Sequence, residues 1–299
     1  YQHEIDLPAG PQAPDLELVR HYNALAPRHG VLGRGWALSY DTRLRRAGAR
    51  WRVVQADGSH IEFQGAAGAP LPNAHGSLRR EGRHWVWRWP NGRALWFDAQ
   101  GDLSRIVQPR AAGPQGAGPL AGAGSAGGRG AAIERNTGSG PLAGTIARIT
   151  APDGTALVFH YRVAAGAAYL DHVDTRHGRF QYRYDDNGAE PRLSAVIRPD
   201  GMRRLYRYEA ALQSGNTHAL TGVEIADASG TQVERLNTWS YDRQGRVTLA
   251  IAGDPARPRA RLAIEYPQPA SATQDGLTVV HGGTAQSTRF RIGLRGGRH

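Results

Sequence analysis

Six aromatic residues recur at nearly constant intervals through the second half of this 299-residue chain. Tyr161, Tyr184, Tyr208, Tyr241, Tyr266 and Phe290 are separated by steps of 23, 24, 33, 25 and 24 residues. Turn glycines keep step with them: Gly154, Gly178, Gly201 and Gly230 precede the first four aromatics by 7, 6, 7 and 11 residues. Short β-branched runs such as Val196-Ile197 lie upstream, so one unit reads strand, turn, strand. A unit this short cannot bury a face alone, and repeats of this kind become stable by stacking on their neighbours. The expected fold class is therefore all-β, with consecutive antiparallel hairpins joined edge to edge into one continuous curved repeat sheet. Tyr161, Tyr184, Tyr208 and Tyr266, as the largest regularly recurring groups, are expected to be largely buried in equivalent strand positions. The long step of 33 coincides with the polar stretch Asp227 to Gln232, which reads as a lengthened hairpin tip.

The first third carries β signals of a different spacing. Trp36, Leu38, Tyr40, Thr42 and Leu44 fall on every second position, which predicts one strand with a single buried face. Two hairpins are predicted, one across Asp57-Gly58 and one across Asn91-Gly92, because these pairs tolerate the positive φ of tight turns. Between Arg110 and Ala132 the sequence collapses to Gly, Ala, Pro and Ser, which offers little to bury. That gives three regions: an N-terminal β domain over 1–109, a flexible linker or loop over 110–145, and a hairpin array over 146–299. Gly122, Gly124 and Gly127 match a dinucleotide-binding spacing, but no strand precedes them and no helical pattern follows, so no nucleotide cofactor is expected.

Composition removes several chemistries. All 37 basic residues are arginine and cysteine is absent, which excludes lysine-dependent phosphate loops, Schiff-base catalysis, disulfides and thiolate metal sites. No apolar run approaches the roughly 20 residues of a membrane helix. The chain opens Tyr1-Gln2-His3 and its only methionine is Met202, so an excerpt or a processed product is expected.

Four groups of residues invite a functional reading. Trp85, Trp87 and Trp89 share one strand face and could stack on sugar rings, although three tryptophans on a β face more simply form core. Arg183 and Arg207 each stand between two tyrosines, an arrangement suited to nucleic acid, but strand alternation sends Arg and Tyr to opposite faces. Nucleic acid is accordingly not expected as a partner. Asp171, His172, Asp174 and His177 cluster closely enough to suggest a metal, yet a third ligand is unassigned and turn polarity accounts for them, so no metal is expected. Asp185-Asp186 opens an Asp-Asp-Asn-Gly tip and reads as turn chemistry. With no nucleophile elbow in the sequence, no catalytic residue is assigned and the chain is not expected to be an enzyme.

The repeats resemble those of the bacterial Rhs or YD-repeat proteins. The likeness rests on Leu193 to Gly201 followed by Leu205-Tyr206-Arg207-Tyr208, on Tyr182-Arg183-Tyr184-Asp185, and on Tyr241-Asp242 followed by Gln244-Gly245-Arg246-Val247. Leu18, Arg20, Tyr22, Asn23 and Leu32-Gly33-Arg34-Gly35-Trp36 resemble the domain that precedes the repeats in that family. The resemblance implies a spiralling β-sheet that closes into a hollow shell around a C-terminal toxin, at a secreted or cell-surface location. It implies toxin cargo as a partner. About 16 strands at roughly 4.8 Å make a wall too short to close around a folded cargo, so Leu277 to Ile292 are expected to pair through the sheet edge with the continuation of the same polypeptide or with further copies of the chain. The alternative is a self-assembling or cell-wall-polysaccharide-binding surface protein. The family's self-cleaving element has no counterpart near His299, so self-cleavage is not assigned to these residues.

Overall fold

A computed structural model describes residues 1–10, 16–25, 29–65, 69–108, 130–185, 190–271, 273–283 and 287–293. Strand order follows chain order almost throughout, because nearly every connection is a short turn. Eighteen strands, from Leu71–Asn73 to Ser287–Ile292, form one antiparallel ladder, each paired to its sequence neighbours. The ladder is open: among the described residues Leu71–Asn73 pairs only with Gly76–Glu81, and Ser287–Ile292 only with Gly276–His281.

The turns show why hairpins form at this spacing. In Ala151-Pro152-Asp153-Gly154-Thr155 the Gly154 N–H donates to the Ala151 carbonyl and the Thr155 N–H to the Asp153 carboxylate. The same bonds recur around Arg198 to Met202, Gln55 to Ser59 and Trp89 to Arg93. Only the glycine of each turn has positive φ, +85° at Gly154 and +84° at Gly201, while the Asp or Asn before it does not. This is a type I turn closed by a left-handed glycine, one residue longer than the tightest hairpin turn. Gly178 and Gly230 also sit at positive φ.

The chain divides into two compact units, Tyr1–Gln181 and Tyr182–His299, a boundary that falls inside the strand Gly178–Asp185. The first unit carries three small sheets besides its part of the ladder. One joins Gln2–Leu7, Leu18–Tyr22 and Trp36–Leu38; a second joins Arg43–Ala47, Arg50–Val54 and His60–Gln64; a third is the ribbon His29–Gly30 with Gly33–Arg34. The second docks on the ladder through Trp51 against Trp85 and Phe63 against Trp87, and the third through the Leu170 N–H on the Val31 carbonyl at 2.7 Å. At Gly101 the Leu44 N–H donates to the glycine carbonyl, and a Cβ would collide with the Leu44 carbonyl, so the contact admits only glycine.

Two sequence expectations meet a different local structure. The predicted single strand over Trp36 to Leu44 is broken by a 3-10 turn at Ser39–Asp41, where the Asp41 carboxylate accepts the Leu38 N–H and the buried Tyr40 donates to the Glu17 carbonyl. Ala37 is buried along with Trp36 and Leu38, so this stretch has no solvent face. Within the expected linker 110–145, Ala131–Arg135 is a ladder strand, pairing with Leu103–Val107 and with Ile146–Thr150. Its buried Ala131 and Ile133 supply the period-2 signal that the preceding Gly/Ala run lacks. Residues 109–129, including Gly122, Gly124 and Gly127, lie outside the described residues.

In the second unit the core is formed by Leu193, Val196, Tyr206, Leu220, Val223, Tyr241 and Ile251. Beyond it the sheet loses its cover. The first six residues of Arg257–Gln268 are exposed, as is every residue of Ser287–Ile292.

Candidate functional site

The most regular chemistry among the described residues is a clasp that closes four of the hairpins. The Tyr161 hydroxyl donates to the Ile146 carbonyl at 2.7 Å, Tyr208 to Leu193 at 2.9 Å, Tyr241 to Leu220 at 2.6 Å and Tyr266 to Val247 at 2.9 Å. The accepting carbonyl lies where the first strand of the hairpin begins, and the tyrosine stands one residue beyond its cross-strand partner. Each tyrosine thus ties the open end of its own hairpin.

Two further residues complete the clasp. Arg192 pairs with Asp185 at 2.7 Å and lies 4.8 Å over the Tyr208 ring, while Arg246 pairs with Asp242 at 2.8 Å and lies 4.2 Å over the Tyr266 ring. The aspartate that follows a repeat tyrosine therefore holds the arginine on which the next tyrosine stacks. Such a cation over a ring is worth about 0.5–2 kcal/mol. Asp242 also accepts the N–H groups of Gln244 and Arg246, which folds the turn. The Tyr-Asp pairs Tyr184-Asp185 and Tyr241-Asp242 are thereby structural joints.

Burial differs from expectation in an informative way. Tyr161, Tyr184, Tyr208 and Tyr266 are half-buried, Tyr241 is buried, and Phe290 is 50% exposed. The fully enclosed aromatic lies two residues earlier on the same face, at Phe159, Tyr182 and Tyr206. A strand's centre is covered more completely than its end, and the clasp requires the hydroxyl to reach a strand-end carbonyl. Arg183 and Arg207 point to the exposed side, and Arg207 binds Glu224 at 2.6 Å, which also binds Arg235 at 3.0 Å.

Of the tryptophan row, Trp87 is buried and stacks on Trp89 at 3.6 Å, Trp85 packs on Trp51 at 4.3 Å, and Arg93 covers Trp89 at 5.1 Å. The cluster around His172 is brought together in part. Asp171, His172 and Asp174 lie within hydrogen-bond or ion-pair distances, His177 bonds Arg176 instead, and His160 joins from the neighbouring strand. Sequence spacing missed Arg192, His160 and the three inner aromatics. Only the last had a signal, since Tyr182 and Tyr184 share a face by alternation, as do Tyr206 and Tyr208.

Burial alone would raise the Asp242 carboxyl, but hydrogen bonds from the Arg246 backbone and guanidinium outweigh it and hold the group below the usual carboxylate range. A carboxylate depressed in the folded state adds stability above its unfolded value, near 4, and loses it as pH falls through the folded value. Asp242→Asn is therefore expected to destabilise the chain at pH 7, with a narrower gap to the native protein at pH 3. Urea midpoints at the two pH values measure this; a gap that stays constant contradicts the clasp's charge.

Taken as a class, this is an all-β protein of serially paired hairpins with a repeating Tyr, Asp and Arg joint. Residues 1–63 match the family described as a domain of unknown function (DUF6531). Two solved structures are similar to this chain at a low level. "Crystal Structure of TcdB2-TccC3 without hypervariable C-terminal region" is 10% identical, with a TM-score of 0.35, over 92% of this chain and 17% of that one. "Crystal Structure of TcdB2-TccC3-TEV" is 11% identical, with a TM-score of 0.33, over 81% of this chain and 12% of that one. The chain thus spans less than a fifth of the length of either. No curated protein matches it.

Proposed function

We propose that this chain is a wall segment of an Rhs-type shell, secreted or at the cell surface, which encloses or presents a toxin carried by the same parent polypeptide. The observation that carries this reading is the exposed outer edge of the ladder. Ser287–Ile292 is exposed along its whole length, its Phe290 and Ile292 side chains are uncovered, and among the described residues nothing pairs its outer side. A long edge of this kind is a template for strand addition. Further β structure, from the continuation of the polypeptide or from another copy, is the partner it fits.

Size supports the same reading. Eighteen strands at about 4.8 Å each make a ladder about 86 Å wide, which would close on a diameter of only about 27 Å. A folded cargo of about 100 residues needs about 33 Å. Enclosing it therefore takes more wall than these residues supply.

Sedimentation velocity at rising concentration tests the edge. The native chain is expected to associate, and the double variant Phe290→Asp, Ile292→Asp to stay monomeric, because both side chains are exposed and their charges block strand addition without touching the core. A native chain that remains a monomer at every concentration, with its edge amides protected internally, overturns the wall reading.

A further inference from the structure

We propose that His160, His172 and Asp174 form a binding site for a divalent transition-metal ion of the zinc class. The three ligand atoms lie within 4.8 Å of one another, with His160 Nε2 at 3.1 Å and His172 Nε2 at 3.8 Å from Asp174 Oδ2. Metal–ligand bonds of about 2.0–2.1 Å in a tetrahedral site place neighbouring donor atoms about 3.4 Å apart. The side chains therefore need to close by less than an ångström or two. The two imidazoles stack at 4.2 Å and 13°, so sharing one ion requires the rings to tilt toward each other, a movement open to the half-exposed His160.

The ladder explains how the set assembles. His160, on Ala156–Ala164, is the direct cross-strand partner of His172, on Ala167–Thr175. Two residues along, Asp174 lies on the same face as His172. The register shifts between His160 and Tyr161, which makes Asp171 the extra residue of a bulge. Such a bulge breaks the alternation of faces, and it sets the Asp171 carboxylate 2.7 Å from His172 Nδ1. With the Nδ1 proton donated to Asp171, Nε2 of His172 is left as the ligating nitrogen, the arrangement by which a carboxylate orients a metal-binding histidine. On the other side Arg179 donates to both oxygens of Asp174, Nε to Oδ1 at 2.8 Å and Nη2 to Oδ2 at 3.3 Å; an ion on Oδ2, which also faces the imidazoles, displaces the longer bond and leaves the shorter one to steady the carboxylate. Two histidines and one carboxylate leave room for water at the remaining positions, and imidazole donors favour Zn²⁺, Ni²⁺ or Cu²⁺ over Mg²⁺. A bound ion would link two strands directly and brace the third through Arg179.

Titration of ZnCl₂ into the full chain by isothermal calorimetry tests the site. One ion per chain is expected, with His160→Gln and His172→Gln each weakening it by more than about tenfold and Asp171→Asn by about tenfold. The thermal midpoint of the native chain should rise with ZnCl₂ and not with MgCl₂, and His177→Gln should bind as the native chain does. Circular dichroism confirms that each variant folds. With Cu²⁺ as the probe, electron paramagnetic resonance should show coupling to two imidazole nitrogens. Absence of binding, or binding unchanged in the His160 and His172 variants, overturns the proposal.

Discussion

Replacing Arg20 by methionine is expected to cost about 3–5 kcal/mol, because it leaves the buried Asp6 charge without its partner. The Arg20 guanidinium meets both oxygens of Asp6 at 2.7 and 2.8 Å, the two side chains are 0% and 6% exposed, and Arg20 also lies 4.9 Å over the Trp36 ring. Asp6→Leu made together with Arg20→Met should recover most of the loss, since removing both charges of a buried pair costs far less than removing one. Urea unfolding followed by tryptophan fluorescence reads both effects. A single-variant loss below about 1 kcal/mol, the usual worth of an exposed pair, would show that the pair is solvated.

The second large effect separates the two tyrosines of one repeat. Tyr206→Ala is expected to cost about 3–5 kcal/mol as a core truncation, the side chain being 2% exposed. Tyr208→Phe should cost only about 0.5–1.5 kcal/mol, the net worth of one hydrogen bond, because the ring stays under Arg192 and only the bond to the Leu193 carbonyl is lost. Equal losses from the two variants would contradict this division between an enclosed inner tyrosine and a half-buried outer one.

That contrast shows how far the sequence could be read. The hairpin ladder was legible because its signals are local: Asp153-Gly154 and Asp200-Gly201 each make a turn, and β-branched and aromatic residues alternate on either side. Which tyrosine of Tyr206-Arg207-Tyr208 is enclosed depends on where the strand sits relative to its neighbours, and recurrence alone singled out the more regular but less covered one. Trp36 to Leu44 misled for a related reason. Its period-2 pattern is genuine, but Asp41 and Tyr40 make side-chain bonds to the backbone that stop the strand, and such competition leaves no trace in hydrophobic periodicity. His160 was invisible beside His172 because the pairing crosses the Ala165-Gly166 turn, and the bulge at Asp171 shifts every alternation count made along the chain. The arginines of the clasp sit at unequal distances from their aspartates, seven residues for Asp185 and Arg192 and four for Asp242 and Arg246. A fixed-spacing search therefore finds only the second.

Backbone hydrogen exchange along Ser287–Ile292, followed as the chain is concentrated, tests the wall reading most directly. An edge strand offers its outward amides to a new neighbour, so alternate residues of this strand should become protected as association proceeds, while the interior strands Ala156–Ala164 and Ala167–Thr175 stay protected throughout. Fast exchange at all six positions at every concentration would contradict the claim that this sheet is built to be extended.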